Sequence, residues 1–391
     1  MKRQVPLRRK ILFWPLLFTI SVALFAVLAE LGLRLFWTPA FISNYYMRDE
    51  TYHHRARPKA IGVQFLEDGT RIWIATNSLG LRDREYGPKE KGALRILVLG
   101  DSYTEAATSP LEQTSTKLLE QRLQQYLAGS RRRIEVINAG QISYSPLLEY
   151  LLLKNKLIGL EPDLVLLNLD MTDVQDDAMY SKLAVFDEQG RPTRVPNQPV
   201  PMIVETKYQP SPLIKWLNDR SYLFKFADWL FRYQASRQSV NIRIGDIATD
   251  RLGSTRDEVT NWESYFQLTG SYLKLIDQFL RERKISFLIF IYPQGQQTAG
   301  REWDEGRKSY RFERNKVYTG TFFPFLQQFC AEKKLDCHPL LDEFRAYRGA
   351  PLLFLPFNGH FTQAGEALLA DCQYRALLGG GYLNDFKFAP E

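Results

Sequence analysis

Four short segments carry the side chains able to do chemistry. Leu99-Gly100-Asp101-Ser102-Tyr103-Thr104-Glu105 follows the apolar run Arg95–Leu99. A hydroxyl on a tight strand-to-helix turn faces solvent, and backbone N–H groups beside it can meet a developing oxyanion. The same turn suits a helix N-cap, a role Ser and Asp commonly fill, and on local sequence alone the cap is the stronger reading. Asn138-Ala139-Gly140 ends a second apolar run, where Gly140 offers either an unobstructed N–H or an ordinary turn. Asp170-Met171-Thr172-Asp173 ends a third. A hydroxyl nucleophile needs a base, and the chain has only four His. His53 and His54, beside Arg55 and Arg57, read as solvated surface, and His338 reads as packed at the end of a short strand. His360 lies in Pro356-Phe357-Asn358-Gly359-His360-Phe361-Thr362-Gln363-Ala364-Gly365, just ahead of the last helical segment, where it can swing over the edge that carries Ser102.

These segments cooperate only if the elements between them bring them to one edge. Apolar runs at 95–99, 134–137, 164–169, 285–291 and 335–338 read as strands. Helical spacing covers 114–127, 146–158, 262–283, 321–332 and 362–377. Strands alternating with helices predict an α/β fold, a parallel sheet with helices on both faces, whose ligands bind beyond the carboxyl ends of the strands. Residues 37–90 show no clear period and read as a juxtamembrane lead-in to a domain over 91–391. A Pro-rich stretch with the aromatic cluster Trp216 to Tyr233 interrupts that domain as an insertion at about 180–259.

The net charge of +7 belongs mostly to the N-terminus. Residues 1–36 hold six basic side chains and one acidic, leaving 45 basic against 43 acidic in the remaining 355. A body so nearly neutral has no field with which to condense phosphates, which argues against nucleic acid as a partner. Ile11 to Ala29 is 19 residues without a charge, preceded by five basic groups. The pattern predicts a cytoplasmic basic tail over 1–10 and a single transmembrane anchor over 11–36, with the rest carried across. A cleaved signal peptide is the alternative, because Val27-Leu28-Ala29 resembles a cleavage site. Either way the main domain lies outside the cytoplasm, and the expected location is periplasmic, on the inner membrane. Cys330 and Cys337 suit a disulfide there or two buried thiols, with Cys372 left over. Neither a metal site nor a cofactor is expected, since no His/Cys group has ligand spacing.

Together the segments resemble the SGNH branch of the GDSL hydrolases, in its membrane-anchored form. The resemblance runs from about Thr76 to Leu378 and is carried by Arg95–Glu105, His360–Gly365 and the lead Asn77-Ser78-Leu79-Gly80-Leu81-Arg82. It implies a flavodoxin-like three-layer α/β/α sandwich. It implies Ser102 as nucleophile, His360 as general base, and N–H groups of Ser102 and Gly140 as oxyanion donors. Two positions depart from the family pattern. The third block normally supplies an oxyanion Asn, where this chain has Thr172, and the triad Asp is replaced by Asn358. Asp101, Asp170 and Asp173 are the candidates for a supporting carboxylate.

The resemblance implies an extracytoplasmic serine esterase that removes acyl groups, acetyl first among them, from a cell-envelope glycan. One alternative is an O-acyltransferase of an envelope polysaccharide, working with a membrane partner that exports acyl groups. The other is a catalytically weakened fold that binds glycan or scaffolds a complex.

Overall fold

The computed structural model describes residues 7–36, 45–66, 68, 70–127, 132–197, 213, 216–217, 220–227, 252–257 and 261–384. Most of the insertion expected at 180–259 and the first six residues of the basic tail lie outside them. The chain forms two compact units, Met1–Phe41 with Val204–Asn241, and Ile42–Ile203 with Ile242–Glu391.

The first unit is built on the helix Leu7–Phe36. Its Phe13–Phe36 portion, 24 residues of mean hydropathy 2.3, is long and apolar enough to cross a membrane, a criterion that a signal sequence also meets. Glu30, the one acidic residue in the helix, has a structural task. Its carboxylate accepts the Ser221 hydroxyl at 2.9 Å and the N–H groups of Tyr222 and Leu223 at 2.9 and 2.8 Å, which caps the helical residues 222–227. Arg34 pairs with Glu30 at 2.8 Å one turn on, and its guanidinium sits 5.0 Å from the Tyr222 ring centre.

The second unit opens with two antiparallel hairpins, β1 (Tyr46–Asp49) with β2 (His53–Ala56) and β3 (Ile61–Phe65) with β4 (Arg71–Ala75). Then come β5 (Leu94–Leu99), β6 (Ile134–Asn138) and β7 (Leu164–Leu169). A short hairpin of β8 (Val185–Phe186) and β9 (Pro192–Arg194) precedes β10 (Ser286–Ile291) and β11 (Cys337–Pro339). The central sheet has the order β11-β10-β7-β5-β6, and all its pairings are parallel. This is the flavodoxin-like order, with a switch point between β5 and β7 where the chain changes direction across the sheet.

Strand alternation divides the core in two. Leu97, Leu99, Val165, Leu167, Phe287 and Ile289 meet the helices Pro146–Asn155, Trp262–Arg281 and Phe322–Lys333. Ile96, Val98, Leu164, Leu166, Leu288 and Phe290 meet Ser115–Tyr126 and Gln363–Gly379. Both faces are covered, so the strands read as unbroken apolar runs rather than as alternating ones.

The fold corrects one reading and settles another. His53 and His54 are not solvated surface. His53 is 4% exposed, and His54 Nε2 lies 2.6 Å from the Ile142 carbonyl, where burial pulls its pKa down to about 4. The neighbouring arginines suggested solvent, but the β1–β2 hairpin turns both imidazoles inward against Tyr144 and Tyr180. Cys330 and Cys337 form a disulfide between the helix Phe322–Lys333 and β11, with Cα atoms 6.1 Å apart, and Cys372 is a buried free thiol.

A cross-link that closes so short a loop contributes about 2 kcal/mol in the chain-entropy picture. Cys330→Ser is expected to lower the unfolding free energy by about that amount. Reductant should reproduce the loss in the wild type and add nothing in the variant, as read by denaturant titration.

Candidate active site

The site lies at the carboxyl ends of β5, β6 and β7, on the switch point. β5 ends at Leu99, and the chain then turns through Gly100 (φ 155°), whose Cβ would sit 2.1 Å from Thr104 Oγ1. A four-residue helix, Ser102–Glu105, follows. Its N-cap is Asp101, whose carboxylate accepts the Tyr103 N–H at 2.9 Å. The capping role therefore falls to Asp101, and the Ser102 hydroxyl is left for other work.

That hydroxyl lies 2.8 Å from His360 Nε2, across 258 positions of sequence. Its other neighbour is Asp101 Oδ2 at 3.4 Å. His360 stands just before the N-cap Thr362 of the helix Gln363–Gly379, so the start of that helix fixes its approach. Asn358 Oδ1 receives two N–H groups from His360, the backbone one at 2.9 Å and ring Nδ1 at 3.1 Å. Two donors converge on that atom, which makes it the amide oxygen. A proton on Nδ1 leaves Nε2 with its lone pair toward the Ser102 hydroxyl, the tautomer a general base needs.

The other predicted residues gather at the same edge in different states. Gly140 is required by close packing, since a Cβ there would lie 2.2 Å from Glu105 N. Its N–H already donates to Asn138 Oδ1 at 3.0 Å. Thr172 is half-buried and its N–H donates to Asp170 Oδ1. Neither Ser102 N–H nor the Thr172 hydroxyl is hydrogen-bonded among the described residues. Asp170 is fully buried and accepts Gln294 Nε2 at 2.8 Å, while Asp173 accepts the Asp170 N–H at 2.9 Å. Burial, reinforced by Asp170, Glu149 and Asp101, pushes the Asp173 carboxyl well above its ordinary range. Glu149, 1% exposed with neither carboxyl oxygen hydrogen-bonded among the described residues, is raised in the same way by burial and by Asp177. No group of three His, Cys, Asp or Glu side chains among the described residues has the arrangement of a metal site.

Sequence reasoning missed the frame that holds the nucleophile turn. The Arg82 guanidinium, 1% exposed, donates to the carbonyls of Glu105, Ala106 and Ser109 at 2.9, 2.6 and 2.5 Å. It thereby satisfies the carboxyl end of the four-residue helix. Arg82 is delivered by the Asn77–Arg82 segment. There Asn77 Oδ1 accepts the N–H groups of Leu79 and Leu81, and Gly80 (φ 77°) passes so near Ala56 that a Cβ would lie 2.5 Å from its carbonyl oxygen. Glu105 is locked by the Tyr46 hydroxyl at 2.8 Å and the Ile142 N–H at 2.9 Å. The Asn-x-x-Gly-x-Arg spacing was the available signal for Arg82; nothing local marked Tyr46 or Glu105.

Burial raises Glu105, Asp177 and Glu366 to about 7 each. The folded state then holds protons that the unfolded state releases above its own carboxyl pKa. That share of stability is complete below the unfolded pKa and is lost as pH rises through about 7. His54 acts oppositely, costing stability as pH falls from its unfolded value toward about 4. The thermal midpoint is expected to decline between about pH 5 and about pH 8, and Glu105→Gln should make the decline shallower. A midpoint that climbs across that range would contradict the assignment.

No protein-family model matches the chain, and no curated protein matches it. Solved structures do. A lipase/acylhydrolase from Enterococcus faecalis is similar at 14% identity and TM-score 0.38, over 73% of this chain and 96% of that one. An acetylxylan esterase from Geobacillus stearothermophilus gives 12% identity and TM-score 0.37, over 78% and 97%. Another acetyl xylan esterase gives 13% and 0.37, over 73% and 100%. The strand order and the meeting of Ser102 with His360 are read from this chain's own coordinates, and they agree with the SGNH-type α/β architecture that its sequence motifs resemble.

Proposed function

We propose that this protein is a serine ester hydrolase that deacylates an acylated glycan outside the cytoplasm. The observation that carries the reading is the 2.8 Å separation of Ser102 Oγ and His360 Nε2, with Nδ1 held by Asn358 Oδ1. Ser102 Oγ attacks the ester carbonyl while His360 Nε2 takes its proton. The tetrahedral oxyanion is met by the Ser102 N–H and the Thr172 hydroxyl, unengaged donors at this edge among the described residues. The Gly140 N–H joins them by sharing with Asn138. Collapse expels the alcohol, which takes the proton back from His360. Water, activated by the same imidazole, then releases the acid from Ser102 and restores the hydroxyl.

The disulfide and the apolar N-terminal helix support an oxidising, membrane-proximal compartment. Acyl groups on a glycan are the substrate class that the motif resemblance implies. Transfer to a sugar hydroxyl would use the same acyl-enzyme, and product analysis with and without acceptor sugar separates it from hydrolysis.

Ser102→Ala is expected to abolish hydrolysis of an aryl acetate by the full chain and to abolish labelling by a fluorophosphonate. Labelling that persists in this variant would place the nucleophile elsewhere. Asn358 orients the imidazole without balancing the charge it gains. Loss of the triad carboxylate costs about 10⁴ in a serine protease. Asn358→Asp is therefore expected to raise kcat at least about 10-fold, with KM little changed, in steady-state kinetics. Unchanged turnover would mean that the imidazolium is already compensated.

A further inference from the structure

We infer that Tyr103 is the positioning residue for His360, its ring face supporting the imidazole and its hydroxyl anchoring the loop that carries it. The inference rests on the Ser102–His360 reading and assigns to Tyr103 part of the work that a triad carboxylate would do.

The Tyr103 and His360 rings are stacked, with centres 4.7 Å apart and planes 27° from parallel. An aromatic face attracts a cation laid against it. His360 becomes that cation when it takes the Ser102 proton, so the stack strengthens as the reaction proceeds, which is the requirement for acceleration. Because Asn358 is neutral, attraction from the ring face has more to contribute here than beside an Asp.

The hydroxyl end completes the arrangement. Tyr103 OH lies 2.7 Å from the Gly359 carbonyl and 2.8 Å from Gln294 Oε1, and its single proton is shared between these two acceptors. Gln294 is oriented by its own Nε2, which donates to Asp170 Oδ2 at 2.8 Å, so its amide oxygen must face Tyr103. Gly359 immediately precedes His360. One buried side chain therefore spans from the residue after the nucleophile to the backbone of the base. Tyr103 is 6% exposed, and Tyr292 and Phe361 pack on it with ring centres 5.1 and 4.9 Å away, so the face offered to His360 cannot rotate off. Burial, with Asp170 and Asp101 nearby, keeps the phenol protonated. Around the imidazole the groups to account for are Ser102 and Asp101 from the turn after β5, Asn358 on its own loop, and Asp170 behind Gln294 from the end of β7.

The test uses the full chain in detergent, with three replacements at position 103. Tyr103→Phe keeps the face and drops the hydroxyl, a ring-fluorinated phenylalanine keeps the shape and depletes the face of electrons, and Tyr103→Leu removes the ring. Titration of His360 is followed by NMR of ring-labelled histidine in the Ser102→Ala background, and kcat and KM are measured with Ser102 intact. The His360 midpoint is expected to move little in Tyr103→Phe. It should fall by about half a unit to one unit in the fluorinated and Leu forms. In the intact enzyme kcat should fall in that order, by about 3-fold to 100-fold, with KM within about 3-fold. A His360 midpoint that is the same in the phenylalanine and fluorinated forms overturns the inference. This comparison stands even if Tyr103→Leu fails to fold. It also needs no turnover, so an absence of esterase activity in the wild type would defeat the proposed function while the titration still decided whether the ring supports the imidazole.

Discussion

The site depends on the stiffness of a turn too short to hold itself. A four-residue helix makes almost no internal hydrogen bonds, yet Ser102–Glu105 holds a hydroxyl against an imidazole 258 residues away. The deficit is met from outside. Asp101 takes the N-terminal donor, and Arg82 takes the carbonyls of Glu105, Ala106 and Ser109. Gly140, just past β6, lets its backbone press on the turn, and Gly100 lets the Thr104 side chain fold back over it, at distances where a Cβ would collide. A buried guanidinium costs desolvation, and its planar fork spreads Nη1 and Nη2 over three carbonyls, a reach that the single point of a lysine ammonium does not match.

The hairpins before β5 belong to the same device. The period of 37–90 went unread although β4 alternates exposed and buried residues, because β1 and β2 are short and mixed in burial; β1 interleaves half-buried and exposed residues, and β2 buries only its two ends. Their value lies in single long-range bonds: Tyr46 to Glu105, His54 to the Ile142 carbonyl, Ala56 N–H to Gln141. Each touches the turn after β5 or the loop after β6. This segment, read as a lead-in, braces both loops at the working edge of the sheet.

How much was legible follows from the range of each interaction. The strands 95–99, 134–137 and 164–169 and the helices flanking them could be read because burial on two faces writes an apolar run, and covering a sheet writes a 3.6-residue period. The helices Asp173–Ser181 and Leu341–Ala346 could not be read. The first begins with Asp173 and Asp176, buried acids that mimic a polar loop, and the second is only six residues long. Ser102, His360 and Asn358 were found through motif resemblance, and the structure brings those three together. Gly140 came with a role as donor, whereas the structure shows its N–H engaged and its missing side chain as the feature that packing requires. Tyr103 and Gln294 escaped notice because an aromatic or an amide beside a strand end is ordinary in sequence, and only the fold aligns them with an imidazole.

The amide at position 358, where the resembled motif has a carboxylate, sits within this lattice of buried polar groups. With a carboxylate at position 358, a charged pair would fix His360 by itself, and the surrounding groups would need only to pack. With an amide there, ring Nδ1 is held by a neutral acceptor at 3.1 Å, and the loop from Pro356 to Thr362 has to be rigid for that bond to persist. Its ties include Trp303 Nε1 to the Phe357 carbonyl, Gly306 N–H to the Pro356 carbonyl, and Tyr103 OH to the Gly359 carbonyl. Gly306 and Gly359 both pack against Trp303 closely enough that a Cβ would fall within 3 Å of its indole nitrogen. In the proposed mechanism, rigidity of the loop takes the place of charge beside His360.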